Sequence, residues 1–226
     1  PTVVAGKLRS ISGSTPTRNQ TRNTFRTQAR ANGTGWGLCS WNAVNAIQIL
    51  FLTEYCTFNT QAVLGRGNDT GGDFGITTGQ SNSIGNASSG ATNNDMWMSY
   101  RGIENWYVDC WEFIDGLNIQ NYKVFLNQNP ATFADDVFTG DYVDSGVTLP
   151  AMSASYIKKI TGNFLPTAVG GSSSTFVTDG GWSTPTGTVV FFGGAANVSV
   201  PSGGFAFAAN LSEGDIHMTV SAGLSR

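Results

Sequence analysis

Four acidic side chains in one short segment are the residues of this chain best suited to acid–base chemistry. Glu104, Asp109, Glu112 and Asp115 lie within the stretch MWMSYRGIENWYVDCWEFIDG, and a pair of such carboxylates is what glycosidases use. The same spacing also suits carboxylates that accept hydrogen bonds from loop backbone. We expect that structural role for all four, and we predict no catalytic residue.

Nucleophile and metal chemistry have little support elsewhere. His217 is the only histidine, and no nucleophile-elbow sequence lies near it. Cys39, Cys56 and Cys110 lack a C-x-x-C spacing, which favours buried free thiols over a disulfide framework or a zinc site. Oxygen atoms of residues 68–73 remain an open alternative for Ca²⁺, although the segment matches no EF-hand. The sequence predicts no cofactor and no catalytic metal.

Composition excludes some functions. Only 12% of the residues are charged and the net charge is −3, against about 25% charged residues in an average protein, so we expect no nucleic-acid partner. The apolar stretch at residues 47–52 is too short for membrane insertion. The 29 glycines and the many Ser, Thr and Asn residues are typical of an extracellular or virion surface.

The arginines near the start follow a helical spacing. Arg18, Arg22, Arg26 and Arg30 recur every four residues, which places them along one side of a helix. We expect a solvated helix face or contacts to another subunit; a basic patch for an anionic glycan is the alternative.

Two helices are predicted in the first quarter of the chain. Thr15 and Pro16 suit the N-cap and first position of a helix that ends near Ala31. Ser40 suits the N-cap of a second helix. Its apolar face is predicted to hold Val44, Ile47, Leu50, Phe51 and Tyr55.

The remainder reads as loops and short strands. Residues 65–94 are rich in Gly, Asn, Ser and Thr and are predicted to be loop. Alternating runs predict antiparallel strands at residues 122–126, 188–192, 204–208 and 217–222. We therefore predict an α+β fold with two N-terminal helices, a small antiparallel sheet and long ordered loops. Residues 1–226 would form a single domain, with residues 1–14 as an entry segment from a longer protein.

Several motifs together resemble a known family. GIEN at residues 102–105, followed by CWEFIDG at 110–116, resembles the GN-x-x-EW core of formylglycine-generating-enzyme-like domains. The wider run SYRGIENWYVDCWEFIDGLNI is similar to the version found in bacteriophage tail proteins and prophage receptor-binding proteins. The resemblance covers residues 15–226, and further motifs occur in the same order as in the family. WNAVNAIQILFLTEY and LGRG precede this run, and FLP, GGSSST and FGG come after it.

The resemblance implies a C-type-lectin-like fold and a role in host attachment. The enzymes of this superfamily act through a late cysteine pair, and no Cys follows Cys110, so the resemblance implies no enzymatic activity. Trp106, Trp111 and Phe113 would then be core residues around the turn at residues 103–105. The implied setting is a homotrimer in the virion, at the tail fibre or tail tip. Its partners would be a bacterial surface receptor (protein or glycan) and other tail proteins; a head-fibre or capsid decoration module is the alternative.

The C-terminal segment departs from the family pattern. Ala196 and Gly223 stand where an aromatic residue and an arginine are common, as expected of a binding face varied by a diversity-generating retroelement in a tropism determinant, or of ordinary drift on a loop. We place the candidate binding face at residues 195–216. Its predicted ligand-binding residues are Asn197, Ser199, Phe205, Phe207, Asn210 and Glu213. For the two phenylalanines, burial in the core is an equal alternative.

Overall fold

The computed structural model describes residues 1–68, 74–89, 97–196 and 202–225. These ranges contain three α-helices, α1 (Arg22–Arg30), α2 (Trp41–Tyr55) and α3 (Thr60–Leu64), and one 3₁₀ turn, Pro130–Thr132. The strands are β1 (Thr2–Val4), β2 (Lys7–Arg9), β3 (Gly37–Leu38), β4 (Ala87–Ser89), β5 (Trp97–Tyr100), β6 (Ile103–Glu104), β7 (Trp111–Ile114), β8 (Leu117–Gln120), β9 (Lys123–Leu126), β10 (Val143–Thr148), β11 (Met152–Ile160), β12 (Pro166–Val169), β13 (Gly180–Ser183), β14 (Val189–Phe192), β15 (Phe207–Leu211), β16 (Val220–Ala222) and β17 (Leu224–Ser225).

A seven-stranded mixed sheet dominates the fold, so the predicted α+β arrangement of two helices with a small antiparallel sheet is wrong. Strands hold 32% of the residues and helices 16%. The sheet order is β12-β11-β13-β15-β14-β7-β16. The pairs β13–β15 and β7–β16 are parallel, and the other pairs are antiparallel. Long-range pairing of this kind leaves little local signal in the sequence.

The central strands are buried on both faces. In β14, Val190 and Phe192 belong to one hydrophobic core, which also contains α2. Val189 and Phe191 belong to a second core on the opposite face, which contains Phe25 of α1. Side chains alternate between the two faces of a strand, and here each face is covered. Such strands read as continuous apolar runs, which is why the sequence underestimates the sheet.

The predicted start of the second helix is confirmed. The Ser40 hydroxyl accepts a hydrogen bond from the Ala43 N–H at 3.3 Å, and the helix ends at Cys56, whose φ is 54°. Its buried face differs from the prediction, because Leu50 is exposed and Gln48 is buried. The Gln48 amide donates to the Gly204 carbonyl at 2.8 Å, which satisfies it inside the core.

The first helix begins later than predicted. Thr21, not Thr15, is the N-cap, and its hydroxyl accepts from the Thr24 N–H at 3.2 Å. The residues before it are held in another way, since the Thr17 hydroxyl accepts from the Val3 N–H at 2.8 Å. The hydrogen bond between this segment and β1 therefore overrides the local capping pattern at Thr15.

The strand predictions vary in accuracy. Those at residues 122–126 and 188–192 are confirmed by β9 and β14, whereas 204–208 is displaced to β15 and only the last three residues of 217–222 are strand. The displacement follows from a tight turn at Gly203 and Gly204. A Cβ at Gly204 would lie 2.6 Å from the Trp106 ring, so this segment is packed as a turn.

The arginines of α1 bind inside the domain, which corrects both the solvated-face and the glycan-patch interpretations. Arg22 and Arg26 are buried and form ion pairs with Asp115 and Asp135. At the two ends of the row, Arg18 donates to the Met218 carbonyl at 2.9 Å and Arg30 to the Pro130 carbonyl at 2.9 Å. The arginine face of α1 is therefore occupied by contacts within this chain.

Candidate functional site

The aromatic residues of the acidic segment form core, as predicted. Trp106, Trp111 and Phe113 are all buried. Trp106 packs with Phe51 and Tyr100 in the first core, while the other two lie in the second core on the opposite face of the sheet. They therefore pack on both sides of β7 and do not form one cluster around the turn at residues 103–105.

Two of the four carboxylates hold loops, which confirms their structural role. Glu104 accepts from the Gly79 N–H at 2.6 Å and from the Ser81 N–H at 2.8 Å. Asp109 accepts from the N–H groups of Gly75 and Ile76 at 2.9 and 3.1 Å. Burial raises the pKa of the Asp109 carboxyl, and these hydrogen bonds oppose the shift. The third carboxylate, Asp115, is bound by an arginine of α1.

Glu112 is the exception. It extends from β7 into a half-open cavity of about 1040 Å³, and within the described residues no group donates a hydrogen bond to its carboxylate. Its neighbour across the cavity floor is Gly223, where a Cβ would lie 2.9 Å from Glu112 Oε2. Burial raises the pKa of Glu112 to about 7, an effect that the amino group of Pro1 reduces.

The thiols beside this cavity are poor nucleophiles. Burial raises the pKa of the Cys39 thiol to about 12, and the charge of Glu112 adds to the shift. Burial likewise raises the pKa of Cys110. Cys56 is exposed, which corrects the expectation that all three thiols are buried. Because the thiolate is the reactive form, the cavity combines one unpaired carboxyl with protonated thiols. It suits binding of a polar group better than covalent catalysis.

His217 is remote from any such system. It lies on an exposed turn, and its Nδ1 is 2.8 Å from the Thr219 hydroxyl. This contact orders the turn.

The predicted binding face is divided by the structure. Phe205 is 2% exposed and Phe207 is 1% exposed, so neither lies on the surface. Phe205 packs on Phe51 and Phe58, and Phe207 on Trp41. These contacts confirm the alternative prediction, in which both phenylalanines are buried in the core.

The polar members of the set fare differently. Asn197 and Ser199 lie outside the described residues. Asn210 is half-buried near the end of β15, and Glu213 is exposed in the turn that follows. Only Glu213 therefore stands on an open surface within the described part of the set.

Residues 213–218 of the C-terminal region are exposed, and together with the half-buried residues 212 and 219 they form a segment that we call the recognition loop. Ile216 is 58% exposed and Met218 57%. Neither is among the six predicted ligand-binding residues: Ile216 is the last residue of the predicted face at 195–216, and Met218 falls in the strand predicted at residues 217–222. The signal that could have found them is the polar sequence SEGD just before, which is typical of a turn.

Hydrogen bonds within the recognition loop and to neighbouring segments hold its backbone in place. The Asp215 carboxylate accepts from the Ser212 N–H at 2.6 Å, and the Ser212 hydroxyl donates to the Thr186 carbonyl at 3.2 Å. Arg18 ties down the Met218 carbonyl. The loop thus presents two apolar side chains, just after the acidic residues Glu213 and Asp215, on a backbone that is already ordered.

Metal and membrane sites can be assessed only for the described ranges. There, no group of three or more His, Cys, Asp or Glu residues is placed to hold a metal ion. Asn68 binds Asp109 through its amide at 3.0 Å, while residues 69–73 of the Ca²⁺ alternative lie outside the described residues. The helices in those ranges are all too short or too polar to cross a bilayer.

Comparison with protein-family models finds no match for this chain, and comparison with curated proteins finds none either. The resemblance to phage receptor-binding domains therefore rests on the sequence motifs alone.

Proposed function

We propose that this chain is a non-enzymatic recognition domain that attaches a phage or prophage tail to a receptor, protein or glycan, on a bacterial surface. The observation that carries the proposal is the recognition loop. Large apolar side chains are costly to leave in water, and an exposed pair on an ordered loop is typical of a binding surface. The motifs shared with tail proteins support the phage setting.

The scaffold supports the same role. A doubly covered sheet gives a rigid base, and binding residues are commonly carried on loops above such a base. Preordering matters because a loop that is already fixed loses less conformational entropy on binding.

The chemistry of the acidic segment argues against a catalytic role. Glu104, Asp109 and Asp115 are engaged by backbone groups or by arginine. Glu112 has no second carboxylate free to act with it among the described residues of its segment, so the acid–base pair of a glycosidase is missing.

The test is a double substitution of the two apolar residues, Ile216→Ser with Met218→Ser. Val143→Ser is the matched control, since Val143 is as exposed but lies on β10. We expect adsorption of the domain to host cells to fall about tenfold or more, because anchors at an interface each contribute over about 1 kcal/mol. The melting temperature should not change.

Three outcomes separate the alternatives. Unchanged adsorption would exclude the recognition loop as the receptor site. Retained adsorption with failed incorporation into virions would favour the structural head-fibre or decoration module. Turnover of a glycan or peptide, lost in Glu112→Gln, would contradict the non-enzymatic role.

A further inference from the structure

A second surface feature lies between the end of α2 and the loop before β13. It is a cleft of about 310 Å³, near the lower end of the range of ligand pockets, about 300–1000 Å³. Thr57, Phe58 and Asn59 form one wall, and Ser173, Ser174 and Phe176 form the other. The cleft shares no residue with the recognition loop.

An exposed aromatic ring is the most unusual element of this cleft. Phe176 is 76% exposed, yet its ring packs on Phe58 with centroids 4.5 Å apart. Phe58 in turn packs on Phe205 at 4.8 Å and on Phe164 at 6.2 Å. The exposed ring is therefore the outermost member of an aromatic series rooted in the core, which fixes its position while one face stays open.

The loop that carries this ring is ordered. The Thr175 hydroxyl lies 2.8 and 2.9 Å from the carbonyl oxygens of Ser172 and Val177, either of which can accept its single proton, and it accepts from the Ser172 N–H at 2.9 Å. At Gly171 a Cβ would lie 2.4 Å from the Ile157 carbonyl oxygen, so the loop is packed closely against β11. A preformed wall of this kind costs little ordering entropy on binding.

Hydrogen-bonding groups at the rim remain available. The Asn59 side-chain oxygen accepts from the Ala62 N–H at 3.0 Å, but its amide N–H₂ donates to nothing among the described residues. The Thr57 hydroxyl accepts from the Asn59 N–H at 3.1 Å and still has a proton to donate. In the same described set the Ser173 hydroxyl has no partner. The residues that carry these donors line the same cleft as Phe176.

The absence of charge narrows the ligand class. Nine of the described residues line the cleft; none of these nine is charged, and six carry a hydroxyl or an amide. A charged ligand would lose hydration with no counter-charge to replace it, and a purely apolar ligand would leave the polar rim unpaired. A sugar ring has a face of C–H groups for the electron-rich face of an aromatic ring and hydroxyls at its edge for the rim.

We propose that the cleft between residues 56–59 and 173–178 binds one neutral sugar residue, with Phe176 as the stacking platform and Asn59, Thr57 and Ser173 as hydrogen-bonding partners. This inference goes beyond the proposed function, because it assigns a second site and a ligand class. Its affinity is on the order of millimolar, since a ligand held on one open side buries little surface.

Cys56 lines the cleft and offers a direct readout. It is the exposed cysteine, whereas Cys39 is half-buried and Cys110 buried, so iodoacetamide should modify Cys56 first. The probes are glucose, galactose and N-acetylglucosamine, with cyclohexanol as the apolar control and glucuronate as the charged control. Saturation-transfer NMR of the same mixtures measures contact between each probe and the protein.

We expect at least one neutral sugar to slow the modification of Cys56 and to receive saturation from the protein. Phe176→Ala should weaken the binding of that sugar about fivefold to tenfold, the scale of an aromatic stacking contact. Phe176→Tyr should keep the wild-type affinity. Asn59→Asp keeps the oxygen that caps α3 but lacks the amide donor, so this substitution should also weaken the binding of the sugar. Val143→Ala should have no effect.

The proposal is overturned if no neutral sugar protects Cys56, if cyclohexanol or glucuronate protects it equally, or if neither Phe176→Ala nor Asn59→Asp weakens binding. Should Phe176→Ala fail to fold, Asn59→Asp alone decides. The assay uses the isolated chain and no host cells, so its failure leaves the test of the recognition loop unaffected.

Discussion

Two carboxyl groups, on the buried Asp179 and the half-buried Glu112, have no cationic side chain beside them in the described part of the molecule. Burial raises the pKa of Asp179 to about 7, and hydrogen bonds from the Phe205 N–H and the Thr178 hydroxyl offset only part of the shift. Burial likewise raises the pKa of Glu112 to about 7. Asp179 holds the turn at Gly203, where a Cβ would meet its carboxylate at 2.3 Å.

These pKa values set the sign of a pH effect on stability. In the unfolded chain both groups titrate near pH 4. Between about pH 4 and 7 the folded protein therefore holds protons that the unfolded chain has released, so the free energy of unfolding falls as pH rises through this window. The slope per group is at most about 1.4 kcal/mol per pH unit.

We predict that Asp179→Asn reduces this dependence, because the neutral amide keeps an oxygen for the Phe205 N–H. Urea unfolding at pH 5, 6, 7 and 8 measures it: wild type should lose stability toward pH 7, and the variant should lose less. Asp141→Asn is the control. Hydrogen bonds from Thr132 and Asn129 lower the pKa of Asp141, so the titration of Asp141 changes the free energy of unfolding only below about pH 4. Wild-type stability that rises between pH 5 and 7 would refute the assignment.

At the scale of elements, an ionic network joins α1 to the central sheet. Arg26 binds Asp115 in a bidentate pair, with N–O distances of 2.8 and 2.6 Å, and reaches Asp135 at 2.6 Å. Burial alone would lower the pKa of Arg26, but its contacts with the two carboxylates raise it. Burial would also raise the pKa of Asp135, yet Arg22 and Arg26 hold it below its usual value. Arg26 and Asp135 are therefore charged at neutral pH.

We predict that Arg26→Ala lowers the free energy of unfolding by about 3–5 kcal/mol, the cost of leaving a buried charge without its partner. Arg30→Ala is the matched control on the same helix. Arg30 is exposed and donates only to backbone carbonyls, so its loss should cost about 0.5 kcal/mol or less. Both values come from urea unfolding at neutral pH.

Equal and small effects of the two substitutions would show that the network contributes little. Loss of host-cell adsorption in Arg26→Ala with unchanged stability would restore the glycan-patch interpretation of these arginines.

For the whole molecule, we propose assembly as a homotrimer through a surface other than the arginine face of α1. Ile49 and Leu50 of α2 are adjacent and exposed, and neighbouring apolar side chains at a surface favour association. We predict a trimer by light scattering at micromolar concentration, and a monomer for Ile49→Glu with Leu50→Glu. Val143→Glu, on β10, should remain trimeric. A monomeric wild-type domain would contradict the proposal.

A trimer would also explain how weak single contacts hold a virion to a cell. Three copies of the recognition loop that engage one surface gain avidity through their effective concentration, with no change in any single contact. Adsorption should therefore fall in the monomeric variant although its recognition loop is intact.

The sequence by itself determined the features that depend on neighbouring residues. The start and the helical course of α2 follow from the Ser40 cap and its helical periodicity, and β9 and β14 follow from short bounded runs. The burial of Trp106, Trp111 and Phe113 was also predictable, since large aromatic rings contribute most to a core. These signals lie within a few residues of one another in the chain.

The tertiary structure alone decided the sheet order, the partners of the arginines and the exposed surface. Arg26 pairs with residues 89 and 109 positions away, and no local pattern distinguishes that from a solvated helix face. Phe205 and Phe207 became core while Ile216 and Met218 became surface, because the sheet is covered on both faces and the chain leaves it after β15. Which face of a strand is covered depends on elements distant in sequence, so periodicity alone could not assign the binding surface.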